Sequence, residues 1–460
     1  MGNAKKRSGS VASMLPVLLA CSFTASFGQS MMNVALPELA ERFGVTLSIA
    51  NWVIVGYMVV AATAIMLSAF MLRRLGLRRV FFVGAGALAL GSACALLSQD
   101  FPMLFASRLV QAVGTGLFFP SVTSVIMTNS PAAVRGTRLA LNSGVIAVGL
   151  AISPTASGFA LTQFGWRAMF VVSLAMSVAL LAVGFFRIHG GPSTKRVPID
   201  ALSVMLGPLG LAAFLYGLGE VTRDLAPSLA AVLLALFAWR QFALESPLLD
   251  LHPLVHPRFA VGILLVMVGM LTSFSMSILL PLYYEGALGY TAFFAGLLLL
   301  GPVLVNAAFT FLGGRVFDRH GAWPLIPAGL VLVLVGQATA FFSAESMIAI
   351  LIVLSSAAVY AGAGFVVAPS KTAALGTLPP ATYSAGASIN STAAQIASAI
   401  GSSLFVGVLS ADVLRDTAAG AAKASAFEHT LSIAVVIAAA GLLVAFFYAR
   451  AMRKPAGKQR

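Results

Sequence analysis

The sequence predicts an all-α membrane protein with fourteen transmembrane helices, arranged as two six-helix bundles plus two inserted helices. Three observations lead there. Only 9% of the 460 residues are charged and 59% are hydrophobic, whereas a soluble domain carries about 25% charged residues. Apolar runs long enough to cross a bilayer, which takes about 20 residues, recur from one end of the chain to the other. The cations between these runs fall on alternating sides. Helices are the expected spanning elements because they satisfy their own backbone hydrogen bonds in lipid. The short alternating segments of a membrane β-barrel are absent.

Taken in order, the expected spans lie at 12–37, 48–72, 79–98, 103–127, 138–163 and 166–187. A further pair follows at 200–219 and 226–244, and a last six at 258–284, 291–316, 323–343, 346–369, 384–410 and 429–449. With the N-terminus inside, 22 of the 28 Lys and Arg residues fall on the cytoplasmic side. Arg42, Arg167, Arg223, Arg415 and Lys423 fall outside, and Arg108 lies within a span. That bias is the positive-inside pattern. It predicts an inner, bacterial-type cell membrane with both termini cytoplasmic. The division follows as 12–187 for an N-terminal bundle, 188–247 for a cytoplasmic link with the inserted pair, and 248–450 for a C-terminal bundle.

The net charge of +14 is thus explained by topology, and no nucleic-acid partner is expected. Lys5, Lys6 and Arg7 precede a long apolar run without a clear small-x-small cleavage site, which reads as an uncleaved first helix. Cys21 and Cys94 sit in apolar runs as small packing residues. His252 and His256 are spaced four apart, but Pro253 and Pro257 break the helix that a metal site would need. No nucleotide-binding loop is present. No metal, cofactor or enzymatic activity is expected.

Two segments resemble each other. AFMLRRLG at 69–76 and GRVFDRHG at 314–321 each follow a span with a basic turn that ends in glycine. Related halves of six helices are the mark of many secondary transporters, whose substrate site lies near the midplane.

At this level of detail the chain resembles the major facilitator superfamily, and most closely its fourteen-helix drug:proton antiporter branch (QacA/EmrB type). The resemblance rests on NVALP (Asn33–Pro37), on Trp52, Val53 and Tyr57, and on SRLVQAVGTG with Arg108, Gln111, Gly114 and Gly116. It extends to GLAISPTASG at 149–158, to Trp166, Arg167 and Phe170, and to SPLLDL, LPLYYEGALGY and AGLLLLGP in the second half. It implies a multidrug efflux transporter that exchanges amphipathic small molecules for protons by alternating access. Transport of a specific metabolite or a lipid, with other or no proton coupling, stays open as the alternative.

Gly149, Pro154 and Gly158 place a bend and two close helix contacts along span five. By resemblance this is the antiporter motif, with Ser153 and Ser157 where glycines are usual. Gly314, Asp318 and Arg319 match the family's loop motif. In the first copy, which ends at Gly76, Arg73 stands in the acid's place. Arg108 is costly inside a membrane, by about 2.5–3.5 kcal/mol, and its expected partner is Gln111, three residues on. A snorkelling Arg108 is the other option.

Proton exchange asks for a carboxyl in the transport path. None of the fourteen acids falls in the middle of a span, and Gly28 stands where the resemblance implies an Asp. Glu285 and Glu38, at span ends, are the candidate coupling acids, with Arg108 as a tuning group. Another driving force, or a plain surface role for both acids, remains open. Candidate cavity residues are Phe27, Gln29, Ser30, Asn33, Gln111, Asn142, Asn306 and Gln395, with Phe23, Met31, Phe274, Met276 and Asn390 as further contributors. Aromatic, Met and amide groups suit neutral or weakly polar ligands. The expected partners are therefore a small-molecule substrate, protons and membrane lipid.

Overall fold

The computed structural model describes residues 2–129, 132–188, 200–220, 226–244, 247–379, 382–415 and 420–451. Among them all regular structure is helical. Thirteen helices are long and apolar enough to span a bilayer, and Met14–Ser30 is a shorter apolar helix beside them. The protein is an all-α, multi-pass membrane protein.

The chain separates into two compact units. The first holds residues 1–249 with 291–297, and the second holds 250–290 with 298–460. The expected link at 188–199 lies, beyond Ile188, outside the described residues.

The first unit begins with α1 (Gly2–Ser30), followed by the short α2 (Leu36–Phe43) and α3 (Leu47–Ala50). Then come α4 (Trp52–Leu96), α5 (Phe101–Asn129), α6 (Ala132–Phe164), α7 (Arg167–Arg187), α8 (Ala201–Glu220) and α9 (Ala226–Ala243). The first span, expected over 12–37, ends earlier than its apolar run. Its helix stops at Ser30, and Met31–Ala35 form a turn. Buried donors from other helices take the carbonyls of its last turn, as described below, so the backbone there is satisfied without further helix. The chain then re-enters helix as α2, with Pro37 in the first turn and Leu36 and Leu39 buried.

Expected spans two and three are the two arms of α4, two helices joined at a kink at Gly76, whose φ is 77°. Glycine adopts that left-handed conformation without a side-chain clash. Helix α5 then packs along both arms of α4 through glycines. A Cβ on Gly116 would fall 2.4 Å from the Ala61 carbonyl, and one on Gly114 would fall 2.4 Å from the Gly84 carbonyl. Met14, Leu18, Cys21, Phe81, Leu88, Phe118 and Leu180 share one core.

Helices α8 and α9 form a hairpin whose base is polar. Arg240 donates to Asp200 through Nε at 2.6 Å and Nη2 at 2.8 Å. Ser203 also donates its hydroxyl to Asp200. Gln241 Nε2 donates to Ser203 Oγ at 2.7 Å, and the Leu249 N–H donates to Gln241 Oε1 at 3.1 Å. The Arg240 and Ser203 bonds hold the Asp200 carboxyl well below the usual carboxylate range.

The second unit holds α10 (Pro257–Gly286), α12 (Leu325–Ser343), α13 (Ala349–Leu375), α14 (Tyr383–Arg415) and α15 (Gly420–Ala451). Helix α11 (Ala292–His320) starts in the first unit and continues in the second. In the second unit α12 and α13 meet glycine to glycine: a Cβ on Gly362 would fall 2.4 Å from the Gly329 carbonyl. The repeat seen in the sequence is reproduced in the backbone. Gly321, which closes the second copy, has a φ of 75°, as Gly76 does in the first.

Candidate functional site

The C-terminal end of α1 organises the buried polar groups of the first unit. Near a helix end the last carbonyls lack intrahelical donors, and the end carries a partial negative charge. Arg108, on α5, is fully buried and points there. Its Nη1 donates to the Gly28 carbonyl at 3.1 Å and to Gln111 Oε1 at 2.7 Å. Its Nε donates to the Val53 carbonyl at 3.4 Å. The guanidinium also lies 4.1 Å from the centroid of the Tyr57 ring. The neighbouring Phe27 carbonyl accepts from Ser153 Oγ at 2.7 Å. A buried cation is thus held by a helix terminus, an amide and an aromatic face. Full burial means that Arg108 does not reach the headgroups.

From this centre a chain of hydrogen bonds runs on to the second arm of α4 and to α7. Gln111 Nε2 donates to Ser92 Oγ at 2.7 Å, and Ser92 Oγ lies 3.1 Å from Ser173 Oγ on α7. The Tyr57 and Thr115 hydroxyls are 2.6 Å apart. Arg108 Nη2 has no hydrogen-bond partner among the described residues. A Cβ placed on Gly28 would meet Tyr57 Oη at 3.7 Å, an ordinary contact. The site therefore holds a buried donor left over, and among the described residues no carboxylate bonds the guanidinium.

The sequence candidates divide as follows. Arg108 and Gln111 are bonded as expected. Phe27, Gln29, Ser30 and Asn33 are all buried at the end of α1, and Asn33 Nδ2 donates to Ser30 Oγ at 3.3 Å. Asn142 accepts from Ser22 Oγ at 2.7 Å, which joins α6 to α1. In the second unit Asn306 donates to the Tyr360 carbonyl at 2.8 Å, joining α11 to α13, and Gln395 is buried on α14. Gly149 is pressed against α1, where a Cβ would fall 2.1 Å from Ser26 Oγ. Gly158 and Pro154 meet the first residues of α11. A Cβ on Gly158 would fall 2.3 Å from the Ala292 carbonyl, and Thr155 Oγ1 donates to the Gly296 carbonyl at 2.9 Å. Gly314 is half-buried and Arg319 exposed. The side chains of Arg73 and Asp318 lie outside the described residues. Tyr57, Ser92, Thr115 and the Gly28 carbonyl were not among the candidates. The carbonyl leaves no trace in residue type.

Glu285 is half-buried near the C-terminus of α10. Glu38 is half-buried on α2 and accepts the Trp166 N–H, at the start of α7. An anionic group is well placed at a helix N-terminus. Burial pushes the Glu38 carboxyl up, Glu41 adds to the rise, and the Trp166 bond opposes it. A carboxyl with a raised folded value holds its proton more tightly folded than unfolded. The stability this contributes is present below the ordinary value of 4.5 and is lost as pH rises through the raised one. Glu38→Gln is expected to flatten that fall. Melting points followed from acid to neutral pH check it, and an unchanged profile contradicts it.

Residues 18–402 and 261–460 match the Major Facilitator Superfamily. The chain is 30% identical over 458 residues to the lincomycin resistance protein LmrB of Bacillus subtilis, covering 95% of each chain. It is 29% identical over 453 residues to the protein of the same name from Listeria monocytogenes, covering 94% of this chain and 96% of that one. A crystal structure of a POT family transporter in complex with 5-aminolevulinic acid superposes with a TM-score of 0.71 at 16% identity, covering 96% of each chain. That likeness concerns the fold.

Proposed function

The chain belongs to the major facilitator superfamily, and from that premise we propose that this transporter exports neutral or weakly polar amphipathic molecules by alternating access, in exchange for protons. Its relatives named for lincomycin resistance support export of a drug-like compound. The observation that carries the substrate class is Arg108. A cation compensated only by a helix end, an amide and a ring makes the first unit hostile to a permanent cation. Arg108 Nη2, without a hydrogen-bond partner among the described residues, suits a ligand carbonyl or hydroxyl.

In this reading residues 12–187 and 248–450 are the two bundles, 188–247 carry the link and the inserted pair, and both termini are cytoplasmic. The lipid around it is that of a bacterial inner membrane. Glu285 carries the coupled proton, and Glu38 is the second candidate. Gly149, Pro154 and Gly158 form the seam along which α6 moves.

The test is uptake into proteoliposomes of lincomycin, a permanent organic cation and an unrelated neutral metabolite, with and without an imposed pH gradient. Gradient-dependent movement of lincomycin with exclusion of the cation is the expected result. Transport of the metabolite alone would replace the multidrug reading with a specific one. Glu285→Gln is expected to uncouple movement from the gradient. A variant that transports at the normal rate and still follows the gradient removes Glu285 from the mechanism.

A further inference from the structure

The α4–α7 pair carries a cluster of basic and aromatic side chains outside the Arg108 network. Arg78, one turn below Phe82 on α4, places its guanidinium 6.0 Å from the centroid of the Phe82 ring and 6.0 Å from that of Phe185 on α7. The two rings meet edge to face at 6.4 Å. They come together because Gly184 lets α7 close on Phe81: a Cβ there would fall 2.1 Å from the Phe81 ring. Arg74, Arg78 and Arg79 are all exposed. Phe185 and Phe186 are 58% and 74% exposed.

No acid in the neighbouring sequence answers these charges. None occurs at 42–99 or at 101–199. Asp200, the first beyond α7, is taken by Arg240. We propose that this groove binds the headgroup of an anionic phospholipid, with its acyl chains lying along Phe185 and Phe186.

The occupant follows from two demands that occur together. Three exposed guanidinium groups with no ion pair among the described residues call for a negative charge, and basic clusters at a membrane surface attract anionic headgroups. The exposed Phe185 beside Arg78, with Phe186 against it, calls for an apolar partner, and Arg78 rests its charge at the edge of that apolar surface. Free phosphate meets the first demand only. A zwitterionic lipid meets the second but brings no net charge. The site does not depend on the substrate or on proton coupling.

The test is native mass spectrometry of the purified full-length protein with phosphatidylglycerol or with phosphatidylcholine of the same chains. Phosphatidylglycerol is expected to be retained about fivefold better, the effect of roughly one basic residue at a membrane surface. Arg78→Gln and Phe185→Ala should each lower that retention severalfold, while Arg450→Gln, an exposed cation of the second unit, should not. Phe185→Ala keeps the test available if the arginine variant does not purify as a single species. Equal retention of phosphatidylcholine overturns the proposal. So does an equal loss with Arg450→Gln, which would point to diffuse charge. Displacement of the lipid by inorganic phosphate would assign the cluster to a soluble anion instead.

Discussion

Arg108→Ala is expected to lower efflux by about tenfold or more while leaving inserted protein in the membrane. The substitution strips the donor from the Gly28 carbonyl and from Gln111 Oε1 at once, while the Val53 carbonyl keeps its helical one. Each buried acceptor left without a donor costs about 1–3 kcal/mol, and a factor of ten in rate needs only about 1.4 kcal/mol. The end of α1 then has to find other donors, and the turn at Met31–Ala35 loses its anchor. Arg108→Lys should fall between the two. It keeps a positive charge at the helix end but cannot reach three acceptors and a ring together. Efflux from cells, normalised to folded protein by size-exclusion chromatography, is the measurement. An Arg108→Ala protein that exports at the normal rate would reduce the site to helix packing.

Gly116→Val is expected to cost the first unit more stability than any exposed substitution. The new Cβ would lie 2.4 Å from the Ala61 carbonyl oxygen and 2.5 Å from Ala64 Cβ, and backbone cannot swing aside as a side chain can. Overpacking of a buried site costs about 1–3 kcal/mol, so the apparent melting point should drop by roughly 2–12 °C. Gly86→Ala is the control on the same pair of helices, since a Cβ there meets nothing within 4 Å. It should leave the melting point nearly unchanged or raise it slightly, because Ala favours helix over Gly. Equal losses in the two variants would show that helix crossing at Gly116 is not what holds α4 to α5.

The membrane fold was legible because apolar length and charge placement are local properties of the chain. The expected spans match the helices to within a few residues at most ends. The main departures are instructive. Apolar character continues past Ser30, yet α1 stops there. The groups that take its terminal carbonyls, Arg108 and Ser153, lie 80 and 126 residues away from their partners, and no local pattern announces them. Arg108 with Gln111 was legible because both belong to one helical face. Tyr57, Ser92 and Thr115 were not, because they join the network only through contacts between helices. Asn142 and Asn306 read as cavity groups from residue type; the bonds they make to Ser22 and the Tyr360 carbonyl, which tie helices together, were not legible, because they lie between helices far apart in sequence.

The hairpin of α8 and α9 has a consequence of a different kind. Its polar groups answer one another at its own base, where Asp200 at its start meets Arg240 at its end. Helix α9 is also the span least enclosed by protein. The two helices are therefore a cassette. A lineage could acquire or discard them in one event, because the ring of bonds at the base would arrive or leave with them. Apart from the Leu249 N–H, none of those bonds would have to be replaced.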